Sequence, residues 1–304
     1  MTKSAYDVGA VSLDLDGCCF PKNKFPESSG HLVAYLDTPE ARDSIINLSP
    51  YLGIKPPLVF AVNTGRAWSA TYPVVQAIGG DGKLIVAVEH GHGIRMPGEE
   101  RPVGADKIDS KYEPDIRTLN EIRDALYRDP NIETHKIDKD FFVAVRVPRD
   151  ADQTDFKRMV LDRLGPHREM VESGKGDIVA VYSHGAIDIR SKNLTKGNAL
   201  KIVSSRTGVP LENWLAIEDA DKAVLVDEKY QGQRKLVGYA GCPADASEDV
   251  RRVVRDFYVL RNFHNSDFPI ASGQPFIYEP NVGCVAKQEN GRGTLEVLKH
   301  FLGD

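Results

Sequence analysis

Val8-Gly-Ala-Val-Ser-Leu-Asp14-Leu-Asp16-Gly17 is a mostly apolar run that breaks off into two acids and a glycine. Val8 to Leu13 predicts a buried strand. Asp14 closes it and Asp16 follows two residues later, so both carboxylates leave one sheet edge together. Gly17 lets the backbone turn sharply. Open α/β sheets bind ligands outside the carboxyl ends of their strands. Two acids there repel unless a cation or a shared proton relieves them. Taken alone, the stretch also reads as a plain turn, where Asp and Gly are common.

Working outward, the 304 residues are 41% hydrophobic and 27% charged, an ordinary globular composition long enough for two domains. The net charge of -5 advertises no basic surface for nucleic acid. Cys18, Cys19, Cys242 and Cys284 have no metal-ligand spacing, and Cys18 and Cys19 are poorly placed to bridge each other. Reduced thiols, the absence of a signal-like start and the absence of a membrane-length apolar run predict a cytoplasmic protein without membrane contact.

Strands alternate with helices at both ends of the chain, which predicts a parallel sheet. Pro57 to Val62 is a second strand, ending in Asn63-Thr64-Gly65-Arg66, with a helix from Ala67. Leu84 to Val88 is a third, ending in Glu89-His90-Gly91. A helix is expected over Thr38 to Leu52. After residue 190, a helix opens at Lys196-Gly197 and Trp214 to Ile217 is a strand ending in Glu218-Asp219-Ala220-Asp221. Lys235 to Tyr239 reads as a strand, Ser247 as a helix cap, and Asn290 to Thr294 as the approach to a terminal helix over Leu295 to Leu302. Phe263 to Tyr278 is irregular.

The middle differs. Ile116, Leu119, Ile122 and Leu126 have helical spacing, Phe141 to Val147 alternates, Asp155 to Leu164 is amphipathic, and two strands flank Ser183-His184-Gly185. This predicts an α+β insert with its own core over residues 92–190, dividing a core domain of 1–91 and 191–304.

Four features then fall at strand ends or helix starts: Asp14 with Asp16, Thr64 with Gly65, Lys196, and Glu218 with Asp219. Singly, each has a dull reading as a cap, a solvated lysine or a turn. Together they suit phosphoryl transfer, which needs a nucleophile and charge stabilisation on the phosphoryl oxygens. Carboxylates suit Mg²⁺.

This set resembles the haloacid dehalogenase (HAD) superfamily of phosphatases. Asp14-Leu-Asp16-Gly17 is similar to its first motif, Thr64-Gly65-Arg66 to its second, Lys196-Gly197 to its third and Glu218-Asp219 to the vicinal form of its fourth. The spaced form of the fourth fails, with Glu218 at the glycine and Ala223 at the second acid. The insert lies where the superfamily carries its type-two (C2) cap, and its content resembles the trehalose-, sucrose- and mannosyl-phosphoglycerate phosphatase branch. The resemblance implies an α/β fold with a Rossmann-like core and an inserted cap. It implies a Mg²⁺-dependent phosphatase acting on a small phosphorylated metabolite of sugar-like kind. Asp14 would be the nucleophile, Asp16 the general acid and base, and Thr64 and Lys196 the phosphoryl ligands. Asp14, Asp16 through its carbonyl, and Asp219 would hold the metal, with Glu218 in an outer shell or Asp221 as a further acid. Gly65, Arg66, Arg146 and Arg190 are the candidate substrate contacts, with Lys136, Lys139 and Lys175 behind them. Arg66 could instead pair with an acid. His90 and His92 read as structural. A phosphomutase of the same superfamily is the alternative, which phosphate release would separate; a receiver-like or non-catalytic phosphate-binding protein is the other. Oligomeric state is not readable from these residues.

Overall fold

A computed structural model describes residues 6–20, 58–80, 82–183, 185–220, 222–226, 235–257 and 282–303, with positions 36, 38, 39, 48, 50 and 51. The expected helix over Thr38 to Leu52 falls mostly outside these residues, as do Asp221 and Phe263 to Tyr278.

In chain order the elements begin with β1 (Ala10–Leu13), β2 (Val59–Asn63), α1 (Trp68–Ala77), β3 (Ile85–Val88), β4 (Gly93–Arg95), β5 (Val103–Gly104) and α2 (Glu113–Leu126). Next come β6 (Lys136–Ile137), β7 (Val143–Arg146), α3 (Gln153–Asp162), α4 (Arg168–Ser173), β8 (Ile178–Ser183) and β9 (Ala186–Ser191). The chain closes with α5 (Lys196–Thr207), β10 (Trp214–Ile217), β11 (Tyr239–Cys242), α6 (Glu248–Arg255), β12 (Gly283–Val285) and α7 (Asn290–Leu302).

The larger sheet has the order β12-β11-β10-β1-β2-β3-β4-β5. It is parallel from β12 through β3, and β4 and β5 add antiparallel to its edge. All four residues of β1 are buried, as are all four of β3 and of β10. Such continuous apolar burial follows from helices covering both faces. One core gathers Val11, Leu13, Val62, Val86 and Leu298; the other gathers Ala10, Ile85, Leu200, Trp214 and Val254. Each fully buried Val or Leu contributes about 1.5–3 kcal/mol, so the sheet interior anchors the strand ends firmly.

The smaller sheet has the order β6-β7-β9-β8, antiparallel throughout. Its core (Leu119, Ile122, Val143, Val160, Ile187 and Ile189 among others) draws only on the middle of the chain. On β9, Ile187 and Ile189 face that core, while Asp188 and Arg190 lie on the opposite face.

Three expectations are corrected. First, Gly93–Arg95 and Val103–Gly104 fall inside the expected insert of 92–190, yet they extend the larger sheet. Ile94 is fully buried there, and three residues are too few to register as a strand by pattern. Second, the strand expected over Lys235 to Tyr239 begins only at Tyr239. A Cβ on Gly241 would lie 2.3 Å from Val297 of α7, so this strand needs small residues and lacks the β-branched signature. Third, Asn290 to Thr294 is not an approach to the terminal helix but its first turn. Thr294 is fully buried, and its hydroxyl donates to the Cys18 carbonyl at 2.5 Å, a tertiary bond that overrides the weak helix propensity of two glycines.

Among the described residues no helix is long and apolar enough to cross a membrane.

Candidate active site

β1 sets the site. Asp14 follows its last residue and donates its backbone N–H to Ile217 at the end of β10 (3.1 Å). Gly17 then takes φ +74°, a left-handed turn that a side chain would strain, and donates to Phe20 at 2.7 Å. This compact turn leaves Asp14 buried and the Asp16 side chain 36% exposed. Cys18 and Cys19 bond inward, to the Ile217 and Asp14 carbonyls. Burial is the main cause that pushes both thiols up, so they pack as small apolar groups.

Lys196 is the first residue of α5, whose cap is the Thr195 hydroxyl accepting from the Asn198 N–H. Asn63, at the end of β2, donates its side-chain amide to the Lys196 carbonyl at 3.0 Å. The helix start is thereby fixed against the strand ends. The Lys196 ammonium donates to Asp14 at 2.5 Å and to Glu218 at 3.0 Å, with all three side chains buried. A solvated lysine and a turn acid are therefore excluded at 196 and 218. Burial is the largest influence on Asp14 and lifts its pKa to about 6; Lys196 opposes this, while Asp219 and Asp16 reinforce it. Glu218 spends an oxygen on Lys196, and Asp219 lies beside it, buried, its carbonyl accepting from Ser247.

Thr64 is fully buried past the end of β2 and is not a helix cap; α1 starts after Ala67. Its hydroxyl accepts from the Arg66 N–H at 3.2 Å. Arg66 donates to both Asp16 oxygens from the Nε–Nη2 edge of its guanidinium, at 2.8 and 2.7 Å, so the acid-pairing alternative describes its contacts. Gly65 lies under the His90 ring; a Cβ there would come within 2.7 Å of it. The expected residues Asp14, Asp16, Thr64, Gly65, Arg66, Lys196, Glu218 and Asp219 thus converge where β1, β2 and β10 end. Arg190 acts electrostatically on His90 and His92, next to this convergence. Arg146 does not join it. It pairs with Ala186, four residues from Arg190 along β9, or about 13 Å at strand spacing. Lys136 and Lys175 are exposed.

The sequence places Glu89-His90-Gly91 at the end of a strand and reads His90 as structural, but does not single out Glu89. Glu89 and His90 both carry positive φ (54° and 58°), a left-handed conformation uncommon for non-glycine residues. Glu89 is fully buried, and its carboxylate accepts from the N–H groups of Asp140, Phe141 and Phe142 at 2.7, 2.9 and 3.2 Å. Its own N–H donates to Arg66, and that of His90 to Thr64. One turn therefore joins the Thr64 loop to a loop of the middle segment. His90 Nδ1 is buried without a hydrogen-bond partner among the described residues. The signal available was an acid directly after a buried strand.

His92 completes the junction. The Ser191 N–H donates to its Nε2 at 3.2 Å, and Nδ1 lies 2.6 Å from the Glu89 carbonyl. A nitrogen accepting an amide proton carries none itself, so the proton sits on Nδ1 and the ring is neutral. Burial is the main cause that pushes its pKa down to about 3; the Glu89 bond opposes this, and Arg190 and Lys139 add to it. The unfolded chain takes up this proton below about 6.5 and the folded chain does not. The His92 contribution is therefore intact above pH 6.5. It falls by up to about 1.4 kcal/mol per pH unit on acidification toward 3. In urea unfolding followed from pH 6.5 to 4, His92→Gln should flatten the stability slope by about one proton; an unchanged slope would mean the ring is not held neutral.

No family model matches the chain, and no curated protein matches it by sequence. Solved structures do match over nearly its whole length. The sucrose-phosphatase of Synechocystis, solved with sucrose and phosphate, has a TM-score of 0.53 at 14% identity, covering 97% of this chain and 98% of that one. A haloacid dehalogenase-like hydrolase of Bacteroides thetaiotaomicron gives 0.52 at 14%, covering 96% and 98%. A Thermotoga maritima protein gives 0.52 at 16%, covering 98% of each. The chain has the α/β fold of the haloacid dehalogenase-like hydrolases.

Proposed function

We propose that this protein is a phosphatase that hydrolyses a small, sugar-like phosphomonoester through an aspartyl-phosphate. The observation that carries the reading is the buried cluster of Asp14, Lys196 and Glu218 at two strand ends and a helix start, with Thr64 alongside. A carboxylate held against an ammonium in a water-poor place is a nucleophile beside a ready cation.

An Asp14 oxygen attacks phosphorus as the bond to the alcohol oxygen breaks. Asp16, released from the Arg66 fork and protonated, gives that oxygen its proton and is left as carboxylate. Asp16 then takes a proton from the water that attacks phosphorus, and the Asp14 ester is released as carboxylate. Thr64 and Lys196 hold phosphoryl oxygens throughout. The four-stranded unit of the middle segment serves as the cap, within the expected span of 92–190, and the remainder as the catalytic core. Cap closure excludes water from the first step, and Arg190 faces the substrate from that side.

Among the described residues no three His, Cys, Asp or Glu side chains form a complete metal cage. Two carboxylates and a main-chain carbonyl, with waters retained, are nonetheless what Mg²⁺ takes. Asp14 and Asp219 offer such hard oxygens and act on one another electrostatically, so the residues fit. Asp14, Asp219 and the Asp16 carbonyl would hold the ion, which supplies positive charge to the phosphoryl oxygens.

A panel of phosphorylated sugars and related metabolites, assayed for released phosphate against Mg²⁺ concentration, tests the reading. Asp219→Ala should raise the Mg²⁺ needed for half-maximal rate by about tenfold or more. Full activity in excess chelator, or no phosphate release from any monoester, would overturn it.

A further inference from the structure

Among the described residues, the two core cations at the site are already engaged. Lys196 donates to Asp14 and Glu218, and Arg66 forks onto Asp16. Four acids, Asp14, Asp16, Glu218 and Asp219, line the place where a phosphomonoester dianion would enter. Such a ligand calls for further positive charge.

Lys139, from the middle segment, stands in that position. It is half-buried, and its ammonium turns onto the Gly65 carbonyl at 2.8 Å, one residue past Thr64. Its ammonium lies over the Phe142 ring, 5.1 Å from the centroid. Glu89, Asp188, Asp16 and Arg66 are the charged groups that act on it. Among the described residues Gly65 supplies its one hydrogen-bond acceptor, and no carboxylate reaches it as an ion pair. An ammonium has three donors, and one carbonyl leaves it under-served in a shielded place. Burial accordingly pulls its pKa down. The Glu89 clamp on residues 140–142 holds the adjoining backbone, so the lysine is presented by a fixed loop rather than a mobile tail.

We infer that Lys139 is a substrate-binding residue, whose ammonium takes an anionic phosphoryl oxygen from the cap side and leaves the Gly65 carbonyl as its second ligand. The inference rests on the phosphatase reading and adds a further cation to it, from the cap side. A residue kept for binding and not for stability has a recognisable signature. Replacing an under-satisfied lysine by an apolar residue of similar length should leave the fold as stable or more so, while affinity is lost.

The experiment is calorimetric titration of inorganic phosphate into the Mg²⁺-supplemented protein, with thermal melting of each variant. Lys139→Met should weaken phosphate binding by about 10- to 100-fold, the scale of one charge-assisted hydrogen bond. Its melting temperature should be unchanged or raised, and Lys139→Arg should bind more tightly than Lys139→Met. Wild-type affinity in Lys139→Met would overturn the inference, because the lysine would then only tether a loop. So would a sharply lowered melting temperature in both variants. Those outcomes leave the phosphatase reading standing if the wild type binds phosphate and hydrolyses monoesters. A wild type that does neither removes both.

Discussion

Asp14→Asn is expected to abolish turnover while the protein stays folded. The amide keeps the size of the carboxylate and can still accept from the Leu15 N–H, which Oδ1 now does at 2.8 Å. It cannot attack phosphorus, since its oxygen carries no charge and its nitrogen no free lone pair. The expected loss in kcat is about 10⁴-fold or more, on the scale of deleting a nucleophile. Lys196 keeps Glu218 as a partner, so the buried cation is not stranded and stability changes little. Steady-state phosphate release and a circular-dichroism melt check this together. Multiple-turnover release near the wild-type rate would dismiss Asp14 as nucleophile, and with it the proposed chemistry.

Lys196→Met strikes stability as hard as activity. The ammonium stands between two carboxylates, and all three side chains are at most 7% exposed. Removing it leaves Asp14 and Glu218 buried with no shared cation, beside Asp219. Breaking a buried pair in this way costs about 3–5 kcal/mol. Urea unfolding at neutral pH should show that loss, and Lys196→Met/Glu218→Gln should recover part of it by removing one stranded charge. A single variant as stable as wild type would mean that the triad is not an ionic cluster. Phosphate release should fail in both variants, because the double variant restores charge balance without restoring the phosphoryl ligand.

These outcomes concern residues that the sequence disclosed through chemistry out of place: acids and a lysine where buried strands end. The pattern located β1, β2, β3 and β10 for the same reason, because parallel strands covered on both faces are unbroken apolar runs. Shape was harder to read. Tyr239–Cys242 is a strand whose residues are small because α7 lies against it, and no local preference announces that. Gly93–Arg95 and Val103–Gly104 are strands too short to carry a period. His90 in its Gly-rich turn reads as structural and Glu89 is not singled out by pattern; what makes them matter is a three-amide clamp across about fifty residues and a ring resting on Gly65. Arg146 looked equivalent to Arg190 by charge, and only strand register separates them.

The Glu89 clamp bears on how such a protein can be re-engineered. Its carboxylate grips the 140–142 loop while the backbone beside it, at residues 89 and 90, grips Arg66 and Thr64. His92 then ties the same turn to Ser191, where the chain leaves the smaller sheet. The two halves of the molecule are therefore spliced through shared residues and not joined by plain linkers. A chimera cut at residues 92 and 190 would carry a foreign loop to a carboxylate with nothing to hold, and would leave Ser191 without the ring it donates to. A working exchange has to transplant 89–92, 139–142 and 191 as one set.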